Sequence, residues 1–290
     1  MVDINKDRKI ILSADSACDL GKEYKEKYGL NYYPFYIIEG NSQYRDGEDI
    51  TPDDIYKIYY EKKIIPKTAA VGVWEYSEYF KRFVNMGYDV IHVNLSSEIS
   101  SAYQNCVSAA KEIGHVYPID SKNLSVGFGE LVIEISKLIE KGMDVQEILT
   151  EAEEIKKKIS MSFILDTLEF MKAGGRCSMI AALGANLLKI KPCVEVNNQT
   201  GKMNIGKKYR GDIDKVVVNY INDILLSKKN VDLESVFIVH SGVNKKLLDI
   251  AKNTVRKGLG LKKDVSIFRA NCTISSHCGP NTIGLSFRTI

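Results

Sequence analysis

The chain has 290 residues, which is long for one compact core and favours one large or two medium-sized domains. Apolar residues make up 44% of the sequence and charged residues 27%, the balance of an ordinary soluble globular protein. The net charge of +3 is small, and the one compact basic run, residues 156–158, follows Glu153 and Glu154. Mixed charge of this kind is typical of a solvated helix face, so we expect no nucleic-acid binding.

Targeting segments and metal motifs are not visible in the sequence. The first ten residues carry charge but lack the apolar core of a signal peptide, and no run of 18 apolar residues could span a membrane. The six cysteines contain no C-x-x-C pair, and none of the four histidines lies four residues from another. These patterns predict a cytoplasmic protein with reduced thiols and no metal site.

The first half of the chain alternates strand-like apolar runs with helical stretches. Thr51 as N-cap, Pro52 at the first helical position and Asp54 predict a helix start with a capping box. The predicted order is a strand at 9–13, a helix ending near Gly29, a strand at 31–38, the helix from Thr51, a helix at 74–86, a strand at 88–95, a helix at 100–113, a strand at 116–119 and a helix at 126–141. This β–α alternation predicts a parallel sheet with helices on both faces.

A highly charged helical stretch at 144–160 marks the predicted domain boundary, which divides the chain into residues 1–160 and 161–290. Beyond it we expect a strand at 161–165, a short helix ending at Gly174-Gly175, a helix through Leu188, a strand at 190–196, a hairpin turn at 197–201, a strand ending near Tyr209, and then two helices and two strands. The fold class predicted is therefore α/β with two domains. The first is a parallel-sheet α/β domain, and the second is an α+β domain with a mixed sheet and helices on one side.

Two glycine motifs could suggest nucleotide binding, and their context argues against it. Residues 201–208 fit the G-x-x-x-x-G-K part of a P-loop, but they lack the following Ser or Thr and lie in a predicted hairpin. Gly127-Phe128-Gly129 lacks a third glycine and follows no long strand.

A serine-rich segment at 94–101 leaves the carboxyl end of a predicted strand and opens a helix. Ligands bind at this place in α/β sheets, and the hydroxyls with free backbone N–H groups form an anion site. The alternative is plain helix capping by Ser97 or Ser100.

Two further segments carry groups that suit a carboxylate. Gly174-Gly175-Arg176 turns tightly between two helices and can put a guanidinium at the rim of a cleft, although a helix C-cap with a solvated arginine explains it too. His277 in His277-Cys278-Gly279-Pro280 is a structural hydrogen-bonding residue when considered alone. Together with Arg176 and a serine it could hold one carboxylate.

Taken in order, motifs along nearly the whole chain resemble the DegV family. The strongest match is residues 168–176, continuing to 188–192. The other matching segments are residues 13–20, 44–47, Thr68, 96–103, Asp120-Ser121, 127–129, 210–211 and 277–280. Three places depart from the usual pattern: Ser101-Ala102 stands where the family has Gly-Thr, Ala69-Ala70-Val71 follows Thr68, and Asn281 replaces a glycine.

The resemblance implies a bacterial protein whose N-terminal domain buries a long-chain fatty acid, while the C-terminal domain closes over the carboxylate. It implies carboxylate binding by Thr68, Ser100, Arg176 and His277, with Ser97, Gly174, Gly175 and Gly279 supporting them. It also implies a separate ATP-dependent fatty acid kinase subunit, an acyltransferase that uses the acyl phosphate for phospholipid synthesis, and transient contact with the membrane surface. The fatty acid is then a ligand, and no cofactor, metal or catalytic residue is expected in this chain.

Two other functions stay open at this point. One is a stand-alone acyl hydrolase using Ser97 or Ser100, although no G-x-S-x-G motif is present. The other is a regulatory module that binds a different small anion.

Overall fold

The computed structural model describes residues 8–175, 190–227 and 230–290. Its strands are β1 (Ile10–Asp15), β2 (Asn31–Tyr33), β3 (Tyr36–Glu39), β4 (Ser42–Arg45), β5 (Lys67–Ala69), β6 (Asp89–Asn94), β7 (Val116–Asp120), β8 (Ile159–Ile164), β9 (Ile190–Val196), β10 (Met203–Arg210), β11 (Val231–Ser241), β12 (Ser266–Arg269) and β13 (Thr282–Thr289). Its α-helices are α1 (Lys22–Lys27), α2 (Pro52–Lys62), α3 (Val73–Val84), α4 (Ala102–Ile113), α5 (Ser125–Glu140), α6 (Val145–Lys158), α7 (Glu169–Ala173), α8 (Ile213–Ser227), α9 (Lys245–Leu259) and α10 (Cys272–Cys278), with a 3₁₀ turn at Ser16–Cys18. No described helix is long and apolar enough to cross a membrane.

The N-terminal domain is built on a parallel sheet with the strand order β2-β1-β6-β7. Both of its faces are covered, because alternate residues of β6 pack in opposite directions. Val90 packs with Tyr76 and Phe80 of α3, whereas Ile91 and Val93 pack with the core that includes α5. The predicted parallel sheet with helices on both faces is confirmed.

The C-terminal domain contains a six-stranded mixed sheet with the order β10-β9-β8-β13-β11-β12. All neighbours are antiparallel except β11 and β12, and β9 and β10 form the predicted hairpin. Helices α8 and α9 cover one face of this sheet. The opposite face packs against α5, with Met161 and Phe163 of β8 in the same core cluster as α5.

Helix α5 lies between the two main sheets and is buried along most of its length. Two glycines allow this close approach. A Cβ at Gly127 would lie 2.8 Å from Cβ of Met161, and one at Gly129 would lie 2.6 Å from the carbonyl oxygen of Cys18. The Gly127-Phe128-Gly129 motif therefore serves packing on both sides of the helix.

The prediction of one strand at 31–38 is wrong. The structure divides it into β2 in the parallel sheet and β3 in a separate antiparallel sheet with the order β4-β3-β5. The break falls at Pro34, which has no N–H to donate to a ladder. The next N–H, that of Phe35, donates to Oγ of Ser16 at 3.0 Å.

The change from α6 to β8 is direct, with no linker between Lys158 and Ile159. The parallel sheet and the three-stranded sheet use strands that end by Asp120, and the six-stranded sheet uses strands from Ile159 onwards. The division of the chain at residue 160 stays a prediction.

Candidate functional site

A cavity of about 230 Å³ lies where the two domains meet. Its walls are mostly apolar and include Phe35, Leu95, Leu124, Phe163 and Met171. Its polar lining consists of Thr68, Ser100, Ser101, Thr273 and His277. An apolar space with a few polar groups suits an amphipathic small molecule.

Thr68 and His277 form the polar centre of the site. Oγ1 of Thr68, on β5, lies 2.8 Å from Nε2 of His277, on α10, across 209 residues of sequence. Both side chains are half-buried and line the cavity. The structure thus brings together two of the four predicted carboxylate ligands.

Two of the predicted supporting glycines are places of close approach to this pair. A Cβ at Gly174 would lie only 2.1 Å from Nδ1 of His277. A Cβ at Gly279, where φ is +74°, would lie 2.7 Å from Cδ2 of Phe170. Only glycine at positions 174 and 279 leaves enough space for the imidazole of His277 and for the end of α10.

The serines of the loop after β6 make different contacts. Ser100 lines the cavity, and its Oγ accepts from the backbone N–H of Ala102 at 3.2 Å, which leaves its own proton to donate to a ligand. Ser97 is not part of the lining, and its hydroxyl accepts from Nζ of Lys122 at 3.2 Å. Ser96 is buried and donates to the carbonyl oxygen of Gly201 at 3.0 Å, so the β9–β10 hairpin holds the loop from the other domain.

Arg176, the fourth predicted ligand, lies outside the described residues. The described chain reaches Gly175, which is exposed and has a φ of +75°. The role of Arg176 stays a prediction from the sequence.

Helix α10, which carries His277, is anchored at its start by Asp46 from the loop after β4. Oδ1 of Asp46 accepts from the N–H of Cys272 at 2.8 Å, and Oδ2 accepts from the N–H of Thr273 at 3.3 Å and from Oγ of Ser16 at 2.9 Å. A carboxylate at a helix N-terminus satisfies amides that the helix leaves unpaired.

Asp19 makes a second link between the domains. Its carboxyl oxygens accept from the backbone N–H of Asn271 at 2.9 Å and from Oγ of Ser125 at 2.5 Å. Complete burial raises the pKa of Asp19 well above its ordinary value, and these two donors oppose that rise. The carboxyl group of Asp19 therefore holds Asn271, the residue that precedes α10, from inside the core.

Asp15, within the matching segment 13–20, is fully buried and bonds to the end of β6 and to Leu95 after it. It accepts from the hydroxyl of Tyr76 at 2.5 Å, from the backbone N–H of Leu95 at 3.1 Å and from Nδ2 of Asn94 at 3.2 Å. These bonds tie the end of β1 to the end of β6. Sequence reasoning placed this motif in the family pattern but did not identify its structural task.

Thr273 was missed by the sequence analysis. It is buried, with 4% of its surface exposed, and it lines the cavity. Its Oγ1 has no hydrogen-bond partner among residues 8–175, 190–227 and 230–290. Its spacing of four residues from His277 would have placed both on one face, had the stretch been recognised as a helix.

A second, much smaller cavity of about 10 Å³ adjoins the first. The two share Leu124, Phe163, Ile274 and Cys278 in their linings. Met161 and Gly284 line only the smaller cavity. Burial raises the pKa of Cys278 to about 12, so this thiol acts as a small neutral group in the wall.

Within the part of the chain that the structure describes, no group of three or more His, Cys, Asp or Glu residues is arranged to hold a metal ion.

The comparisons with known proteins agree with this architecture. The model of the family described as "Uncharacterised protein, DegV family" matches residues 9–289. A DegV domain-containing protein of Clostridium perfringens is 29% identical over 283 residues, covering 96% of this chain and 98% of that protein. A fatty acid-binding protein of Thermotoga maritima is 27% identical over 289 residues, covering 97% and 98%. Among solved structures, a stearic acid-binding protein from Eubacterium ventriosum is 25% identical with a TM-score of 0.84, covering 96% of this chain and 97% of that one. The chain therefore belongs to the DegV family.

Proposed function

We propose that this protein binds a long-chain fatty acid, burying its acyl chain in the cavity and holding its carboxylate with Thr68, Ser100 and His277. The observation that carries the proposal is the cavity itself, where apolar walls surround the Thr68–His277 pair. The names of the Thermotoga maritima relative and the Eubacterium ventriosum structure support a fatty acid as the ligand.

The energetics favour slow release of such a ligand. Binding of a 16-carbon acid moves about 15 carbons out of water. This transfer contributes on the order of 12 kcal/mol to the binding free energy at ~0.8 kcal/mol per CH₂. Association and ordering offset ~4 kcal/mol or more. A carboxylate in this setting also needs donors, because an unpaired buried charge would take up a proton.

The protein then acts as a binding subunit in the cytoplasm. A separate ATP-dependent kinase transfers the γ-phosphoryl group to a carboxylate oxygen, and ADP leaves as the acyl phosphate forms. An acyltransferase consumes the acyl phosphate in phospholipid synthesis. Arg176 is the permanent charge predicted to orient the carboxylate for this transfer.

Ligand content tests the binding step. Protein purified from a bacterial host is denatured and extracted with organic solvent, and the acids are identified by mass spectrometry. We expect near-stoichiometric fatty acid, or binding of added labelled fatty acid. Absence of both would refute the proposal, and recovery of a different anion would favour the regulatory-module alternative.

A matched pair of substitutions makes this test specific to the cavity. Ala70 lines the cavity, whereas its neighbour Ala69 does not. Ala70→Phe should therefore exclude the acyl chain, and Ala69→Phe should retain it.

The kinase step needs a separate test. Arg176→Ala should reduce phosphorylation in the presence of the partner subunit far more than it reduces fatty acid retention, since the acyl chain supplies most of the binding. Full phosphorylation by the variant would refute the role of Arg176. Turnover of a chromogenic short-chain ester by the purified protein alone would favour the acyl hydrolase instead.

A further inference from the structure

The hydroxyl of Thr273 is an unusual feature of an acyl-binding cavity. Thr273 is 4% exposed, it lines the cavity, and its Oγ1 has no hydrogen-bond partner within the described residues. Its backbone N–H is already used by Asp46, so the residue is held in place by its main chain. A buried hydroxyl without a partner is unfavourable, and a ligand atom that bonds to it would remove that penalty.

The location of Thr273 separates it from the carboxylate donors. Thr273 lies four residues before His277 on α10, which corresponds to about 6 Å along a helix. Ala70 and Phe35 line the cavity together with Thr273. The register of β5 against β3 pairs Thr68 with Ile37 and Ala69 with Tyr36, so the next residues in line are Ala70 and Phe35. Thr273 is therefore one helical turn away from the Thr68–His277 pair.

A carboxylate does not need this extra donor. Its two oxygens offer about four lone-pair positions. Thr68, Ser100, Ser101 and His277 already line the cavity with a polar group each. A plain alkyl chain beside Thr273 would leave the hydroxyl unpaired, and valine would fill the same space without that penalty.

We propose that Thr273 recognises an oxygen substituent on one of the first carbons of the acyl chain, so that the protein prefers fatty acids hydroxylated near the carboxyl group. This inference rests on the proposed function. A ligand hydroxyl suits Thr273 because each of the two groups can both donate and accept.

Affinity ratios provide the test. The probes are hexadecanoic acid and 3-hydroxyhexadecanoic acid, measured on wild-type protein, on Thr273→Val, which keeps the shape, and on Thr273→Ser, which keeps the hydroxyl. We expect the wild type and Thr273→Ser to favour the 3-hydroxy acid, and Thr273→Val to lower that ratio about tenfold, the effect of one hydrogen bond of ~1.4 kcal/mol. Hexadecanoic acid should bind Thr273→Val at least as tightly as the wild type.

Measurements on the unmodified protein complement the variants. Among hydroxylated hexadecanoic acids, preference should be confined to substitution near the carboxyl group and absent at carbon 12. Equal ratios in wild type and Thr273→Val, or equal weakening of both probes, would overturn the proposal, because Thr273 would then hold a water molecule or the carboxylate. Failure of the wild type to bind either acid would overturn the proposed function together with this inference.

Discussion

Glu130 provides a sharp test of how the two domains fit together. It lies on α5 with 1% of its surface exposed, between the two main sheets. Its carboxyl oxygens accept from the hydroxyl of Ser235 on β11 and from that of Ser286 on β13, the latter at 2.9 Å. Burial raises the pKa of Glu130 from 4.5 to about 7, against the lowering effect of the two serines and Arg288.

The sign of the pH dependence follows from this shift. Because the folded-state pKa lies above that of the unfolded chain, the folded state holds a proton that the unfolded state has lost. The contribution of Glu130 to stability is therefore greatest below pH 4.5 and is lost as the pH rises towards 7. A pKa difference of about 2.5 corresponds to a loss of ~3 kcal/mol.

Glu130→Gln should remove this loss, since the amide can bond both serines without carrying charge. We expect the free energy of unfolding of Glu130→Gln, measured relative to wild type by urea denaturation, to rise by ~3 kcal/mol between pH 4.5 and pH 8. Glu140→Gln removes an exposed carboxylate from the same helix and is the matched control. A difference that stays constant with pH, or that follows the control, would refute the assignment of a proton to buried Glu130.

Three further outcomes are expected. Gly174→Ala should weaken fatty acid binding about tenfold, because a Cβ 2.1 Å from Nδ1 of His277 displaces the imidazole; an unchanged affinity in a titration would contradict this. Asp46→Asn should lower the free energy of unfolding by ~1–3 kcal/mol, since the amide cannot accept from all three donors; urea denaturation showing no loss would exclude the anchoring role. Met161→Ala should lengthen the longest acyl chain retained after purification, because it enlarges the smaller cavity that adjoins the first; mass spectrometry would detect the shift, and an identical acyl profile would contradict it.

The sequence predicted the elements whose signals are local. Thr51, Pro52 and Asp54 specify the start of α2 by themselves, and the structure contains that capping box. The hairpin turn at 197–201 was likewise found between β9 and β10. The pairing of Thr68 with His277 came from the family resemblance, because no local pattern relates residues 209 positions apart.

Helix α10 shows why other elements of the fold and the site could not be predicted from the sequence. Its sequence, CTISSHC, is rich in residues that favour caps and turns over helix interiors. The group that stabilises its first turn, Asp46, lies 226 residues earlier in the chain. A helix whose cap comes from a distant loop has no local signature, and Thr273 was missed with it.

The same arrangement has a consequence for the site. Although α10 belongs to the second half of the sequence, its start bonds to Asp46, and the helix packs against α2, β3 and β5. Its end is held by the C-terminal sheet, where the hydroxyl of Ser241 on β11 donates to the carbonyl oxygen of Gly279. Helix α10 also packs against α7 and β11, so both halves of the chain position His277 beside Thr68. On β8, Met161 and Phe163 pack in the same core cluster as α5 and also line the second, smaller cavity. The Thr68–His277 pair therefore depends on elements from both halves of the chain, whereas the second, smaller cavity depends on the packing of β8 against α5.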